Sequence, residues 1–158
     1  MAGSPIGSPL PESDKEVTGK ILQATLVELV DLSLIAKQAH WNVVGSHFRS
    51  AHLQLDELVS VARTYADQVA ERANAIGVSP DGTAKTVVDS SGLPAFPDDW
   101  QSVESTVAAI VGILAEEITR LRKRIDDTDK SDLVTQDLLI EITRAVEEAH
   151  WMWQAQQA

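Results

Sequence analysis

Residues 51–77 read AHLQLDELVSVARTYADQVAERANAIG, and four residues in that run decide the architecture. His52, Asp56, Asp67 and Glu71 fall at roughly 0°, 40°, 60° and 100° around a helix that turns about 100° per residue, so all four share one stripe. At about 1.5 Å rise per residue, Asp56 and Asp67 stand roughly 16 Å apart along the axis, whereas metal–ligand bonds are about 2 Å long. One ion cannot serve both pairs. The spacing predicts a second copy of this helix packed antiparallel across a two-fold axis near Val61 and Ala62. The first pair of each chain then meets the second pair of the other, giving a homodimer with shared metal sites.

Working outward, Gly45 and Gly77 bracket this helix, and Ser46 is placed to cap its start. Before it, a helix is expected from a capping box at Ser13 and Glu16 to about Val44. After it, residues 78–98 collect Gly and Pro and form a long connection with room for a short helix near Ala84–Ser90. A third helix is expected from Asp98 or Asp99 to about Asp126, and a fourth from Ser131 to Trp153. Strand signals are nearly absent. The expectation is all-α: residues 15–153 form a four-helix bundle with one long crossover, the ferritin-like topology. Residues 1–14 read as a mobile tail and 154–158 as a short C-terminal one.

The 158 residues suffice for one domain with a real core, and the 44% hydrophobic content is ordinary for a globular chain. A formal charge of −11 disfavours general nucleic-acid or anionic-membrane binding and suits cationic partners. Absence of cysteine excludes disulfides, thiolate zinc sites and cysteine nucleophiles. No apolar run is long enough to span a bilayer and no secretory signal is visible, so a cytoplasmic protein is expected.

In the first helix, Leu22, Leu26, Leu29, Ser33, Ala36 and His40 recur at heptad spacing on a core-directed face. A lone histidine there reads first as a hydrogen-bonded core residue. The short turn after Gly45, however, folds the second helix back alongside, bringing His40 toward His52. Two imidazoles with three carboxylates suit iron, manganese or zinc and leave positions open for an oxidant.

The segment KQAHWNVVGSHFRSAHLQLDELV (residues 37–59), followed by ADQVAER (66–72), resembles the Dps mini-ferritins, DNA-binding proteins from starved cells. The resemblance covers residues 15–153. It implies a ferroxidase site with His40, His52 and Asp56 from one subunit and Asp67 and Glu71 from its two-fold partner. It also implies a hollow dodecamer that oxidises Fe(II), with hydrogen peroxide preferred over oxygen, and stores Fe(III) mineral. Trp41 matches a tryptophan beside that iron site which quenches radicals, although a plain core aromatic would look the same. The acidic run RIDDTDKSDLVTQDLL (124–139) matches the family's three-fold pore, with Asp132 and Asp137 at the best positions and Asp129 nearby. Acidic residues at helix starts are also ordinary.

Trp151 and Trp153 read as packing residues, and His47 as a surface residue. Glu147 and His150 form a single ExxH motif, too little for an intra-bundle di-iron centre. Residues 1–14 contain no Lys or Arg, and none follows Arg144. The dense basic run Arg120, Arg122, Lys123 and Arg124 is set against Asp126, Asp127 and Asp129. DNA binding is therefore expected to be weak or absent. The competing readings are a nucleoid-compacting DNA-binding shell and a structural helical assembly without metal chemistry.

Overall fold

The computed structural model describes residues 4–157. Helix α1 (Glu12–Asn42) packs antiparallel to α2 (Phe48–Ala75), and α4 (Val103–Thr128) to α5 (Leu133–Gln154). The crossover between the two pairs carries the short helix α3 (Ala84–Ser90). The heptad stripe of α1 is buried from Leu22 to His40. Its leucines meet Leu55 and Leu58 of α2, Ile110, Leu114 and Leu121 of α4, and Leu139 and Ile142 of α5 in one core.

Several boundaries differ from the expectations. Helix α1 opens at Glu12, behind Pro11, with no side-chain cap. The Ser13 hydroxyl instead donates to Asp14, so no capping box forms. Proline's fixed φ already suits the approach to a helix, and Glu12 and Asp14 complement the dipole in the first turn. Leu10 packs against the core, and the Ile6 carbonyl lies 2.9 Å from where a Cβ on Gly77 would stand. Residues 6–10 are thus laid along the bundle.

Helix α1 ends at Asn42 because Val43–Val44 (β1) pair in parallel with Gln101–Ser102 (β2). That pairing also delays α4: Asp99 has φ of 63°, and Ser102 caps the helix by accepting from the Ser105 amide at 3.1 Å. Helix α2 starts after His47, at φ 62°, and not from a Ser46 cap. It stops in a Schellman motif, with Gly77 N–H on Asn74 O and Val78 N–H on Ala73 O, both at 2.9 Å. Gly77 at φ 77° supplies the left-handed residue that this motif needs.

Polar clips hold the crossover. The Gln23 amide donates to Asp81 O at 2.7 Å and accepts from Asp81 N–H at 2.9 Å. Arg120 donates to Gly92 O at 2.9 Å. The same arginine and Arg124 reach Glu28, buried on α1. Beside them Glu117 is fully buried, and neither carboxyl oxygen has a hydrogen-bond partner. Burial pushes its carboxyl up to about 8, the Glu28 charge adds to the rise, and Arg124 and Arg120 oppose it.

A pKa raised on folding means that the native state holds a proton the unfolded chain releases. Stability should therefore fall as pH rises from the ordinary carboxylate range to about 8. Replacing Glu117 by Gln should remove that slope and stabilise the protein at pH 8, read by chemical unfolding across this range. An unchanged slope would show that Glu117 is not its source.

Candidate metal centre

Helix α1 brings His40 to the end of its buried stripe, and the tight turn through Gly45 (φ 108°) returns α2 so that His52 stacks on it. The ring centroids are 3.6 Å apart, with an interplanar angle of 23°. His40 Nδ1 donates to His52 O at 2.7 Å, and His52 Nδ1 donates to His40 O at 2.9 Å. A carbonyl can only accept, so both Nδ1 atoms carry hydrogen, and the only position left for a ring lone pair is Nε2. Backbone-fixed tautomers of this kind are usual for metal-ligating histidines. The core-histidine reading of His40 is satisfied at one nitrogen and leaves the other free for a ligand.

Asp56, one turn after His52, completes this half. Its Oδ1 accepts from Lys37 Nζ at 2.6 Å and lies 3.4 Å from His40 Nδ1. The Lys37 hydrogen bond holds the Asp56 carboxyl below the usual range against some desolvation; the Lys37 charge, and those of His40 and His52 when the rings are protonated, act in the same direction. Asp67 and Glu71 stand farther along α2, exposed in the protomer. Among the described residues, no three His, Asp or Glu side chains of one protomer gather closely enough to hold an ion. The donor set fits Fe(II), since two neutral imidazoles and a carboxylate match a borderline cation.

Trp41 adjoins His40 and is 64% exposed, so within the protomer it is not a core aromatic. It lines a groove of about 530 Å³ with Leu34, Gln38, Val88 and Phe96. Trp153 is buried as expected, but Trp151 is 63% exposed. His47 is on the surface. Glu147 pairs with Arg122 at 2.5 Å.

In the acidic loop, Asp132 has another task. It is buried and caps α5, accepting from the amides of Val134 and Thr135 and from the Thr135 hydroxyl. Arg72 of α2 takes its Oδ2 at 2.5 Å. Both carboxylate oxygens of Asp132 accept hydrogen bonds within the protomer and the residue is 7% exposed, whereas Asp129 and Asp137 are exposed.

Two features were missed in the sequence. Lys37 stood inside a quoted segment without a role. Glu117 continues the stripe of Ile110, Leu114 and Leu121 at helical spacing, and a glutamate in such a stripe was the available signal.

Comparison with known proteins identifies the fold. The ferritin-like domain family matches residues 19–158. The DNA protection during starvation protein of Mycolicibacterium smegmatis is 35% identical over 145 residues, 90% of this chain and 79% of that one. The tetragonal form of Mycobacterium smegmatis Dps superposes with a TM-score of 0.93 at 32% identity, covering 98% and 94% of the two chains. Dps from Microbacterium arborescens in its high iron form gives 0.89 at 32% identity, covering 96% and 98%. The fold is thus that of a ferritin-like protein. Within that class, the chain belongs to the Dps mini-ferritins.

Proposed function

We propose that this protein is a ferroxidase and iron store, oxidising Fe(II) at sites shared between two-fold-related subunits of a dodecameric shell in the cytoplasm. The observation that carries the reading is the pair of half-sites on α2, roughly 16 Å apart, the first with both imidazoles locked as Nε2 donors. His40, His52 and Asp56 offer Fe(II) two neutral nitrogens and one charge, and the partner's Asp67 and Glu71 would supply the remaining carboxylates. Each Fe(II) gives up one electron; hydrogen peroxide takes two, its O–O bond breaks and two hydroxides form, with oxygen the slower alternative oxidant. The carboxylates balance the added charge on Fe(III) as it moves toward mineral. Trp41, exposed next to His40, would intercept a stray radical.

Assembly is supported by large apolar side chains that a protomer leaves in water: Trp41, Val88, Trp100, Leu133, Val134 and Trp151 are all exposed. The high iron form of a similar structure supports iron as cargo. The deciding experiment is anaerobic Fe(II) addition followed by peroxide, with Fe(III) absorbance and particle size followed together. Loss of ferrous iron without a particle-bound ferric product would sink the reading, and would leave a structural assembly.

For iron access, the exposed Asp129 and Asp137 take the portal role, without Asp132. Replacing both by Asn should slow Fe(II) uptake at low salt and leave the final iron load unchanged. Equal rates would point to a different inlet.

DNA binding should be weak at pH 7.5 and about 0.15 M salt. The basic run is consumed within the protomer: Arg120 and Arg124 by Glu28, Arg122 by Glu147, and Lys123 by Asp127. Phosphate contacts need free Lys and Arg to displace counterions. Salt-resistant retardation of plasmid in a gel shift would favour the DNA-compacting shell. No helix among the described residues is long and apolar enough to cross a membrane.

A further inference from the structure

Inside the bundle, α4 sets one acid and two bases against α1. Glu117, Arg120 and Arg124 share one face of α4, and all three meet Glu28, buried on α1. Both oxygens of Glu117, Arg120 Nε and Arg124 Nη1 are buried there without a hydrogen-bond partner. Glu117 and Glu28 stand within hydrogen-bonding reach of each other. Two carboxylates have nothing to donate, so that contact becomes a hydrogen bond only when one of them carries a proton.

Arg120 also faces the crossover. Besides its contact with Glu28 at 3.3 Å it donates to Gly92 O at 2.9 Å, and a Cβ on Gly92 would stand 2.5 Å from Arg120 Nη1. The missing side chain is what lets the backbone pass this close to the guanidinium. We propose that one proton held between Glu117 and Glu28 latches the crossover: while it stays, Arg120 grips Gly92, and when it leaves, Arg120 turns to Glu117 and releases residues 91–96.

Charge counting gives the direction. With the proton in place there is one carboxylate, and Arg124 at 2.5 Å suffices to neutralise Glu28. Without it, two like charges face each other in a low-dielectric core and each needs a cation. The Arg124 side chain is only 12% exposed and committed to Glu28, whereas that of Arg120 is 38% exposed and lies one turn from Glu117. The second acid is therefore satisfied by taking Arg120 from Gly92. Burial and the Glu28 charge raise the Glu117 carboxyl to about 8, so the proton is held at neutral pH and lost as pH rises through that value.

Other ionisable groups are engaged elsewhere. On α1, His40 belongs to the metal centre, and Asp31 accepts from the Ser91 hydroxyl. Residues 91–96 carry no charge, and Lys85 of α3 pairs with its own Asp89. Among the described residues, α2 and α5 bury no ionisable side chain, and Asp132, which caps α5, is held by Arg72.

The test is hydrogen–deuterium exchange of the assembled full-length protein at about pH 7 and pH 9, one unit either side of the Glu117 value, with intrinsic rates divided out. The Ser91 and Leu93 amides, bonded to Val87 O and Ser91 Oγ, should lose protection about tenfold between the two, while α1 and α4 keep theirs. Glu117→Gln, whose amide donates to Glu28 at either pH, should stay latched. Gly92→Ala leaves both carboxyls in place but unseats Arg120, so its crossover should exchange at pH 7 as the wild type does at pH 9. An infrared band of a protonated carboxyl should be present in the wild type at pH 7 and missing from Glu117→Gln. A cluster that merely braces the helices would loosen α1 and α4 together with the crossover, or lose protection equally in Glu117→Gln, and either result would overturn the proposal. So would wild-type protection that is the same at both pH values.

Discussion

Shells made only of His40→Ala, His52→Ala subunits, and shells made only of Asp67→Ala, Glu71→Ala subunits, should each lose ferroxidase activity by at least about a hundredfold. Each variant removes two of the five ligands of every shared site, and the loss of metal-orienting groups is of this order. Mixing the two before assembly should restore activity. A hybrid dimer has one site with all five ligands and one left with Asp56 alone, so random pairing should return about a quarter of the wild-type rate: half of the dimers are hybrid, and half of their sites are intact. The measurement is peroxide-driven ferric absorbance, alongside mass spectrometry that verifies hybrid formation. Assembled hybrids with no recovered activity would mean that the half-sites do not meet, however well the stripe on α2 suggests it.

Replacing Asp132 by Ala should destabilise the protein by about 3 kcal/mol, from the lost helix cap and the stranded Arg72 guanidinium. For a chain of this size that is roughly a 10 °C lower melting temperature, compared at equal protein concentration because assembly is linked to folding. Asp132→Asn, which can still cap α5, should lose less. The pH dependence follows from the same contacts. Burial pushes the Asp132 carboxyl up, but Thr135, Arg72 and the Val134 amide outweigh it and hold it below the usual range. A carboxyl depressed on folding adds stability above its unfolded pKa of about 3.9, and that stability is lost as pH falls through its lower native value. The aspartate variant should therefore converge with wild type in strong acid. Full stability with slowed iron uptake would instead put Asp132 in the portal.

The parts of this fold that could be read in sequence are those governed by period and short range. The stripe from Leu22 to His40 predicted a buried face, and every member of it is buried. The short helix Ala84–Ser90 lies where the gap in Gly and Pro left room for it. The meeting of His40 and His52 was foreseeable because a turn of a few residues leaves two antiparallel helices little choice of register. Boundaries set by distant partners were hidden. Ser13 and Ser46 look like caps, but Pro11 opens α1 and a left-handed His47 precedes α2. The start of α4 moved to Val103 because Gln101–Ser102 pair with Val43–Val44, far back in the chain. Asp132 looked like one more carboxylate in an acidic loop until Arg72, sixty residues away, was seen to claim it. Lys37 was silent for a related reason: its meaning depends on which acid it reaches, and Asp56 lies on the next helix.

The arrangement of Arg120, Arg122, Lys123 and Arg124 bears on how such a protein could change its role over evolutionary time. These four cations are the densest in the chain, yet each is engaged by an acid of its own protomer. Recruiting Arg120 and Arg124 to grip a polyanion would strand Glu28 in the core and release the crossover at Gly92. The route by which a lineage acquires a taste for nucleic acid without injuring its bundle therefore runs through new residues at the chain ends. There, lysines can be gained or shed with little consequence for the helices, so attraction to a polyanion can change while the bundle stays as it is.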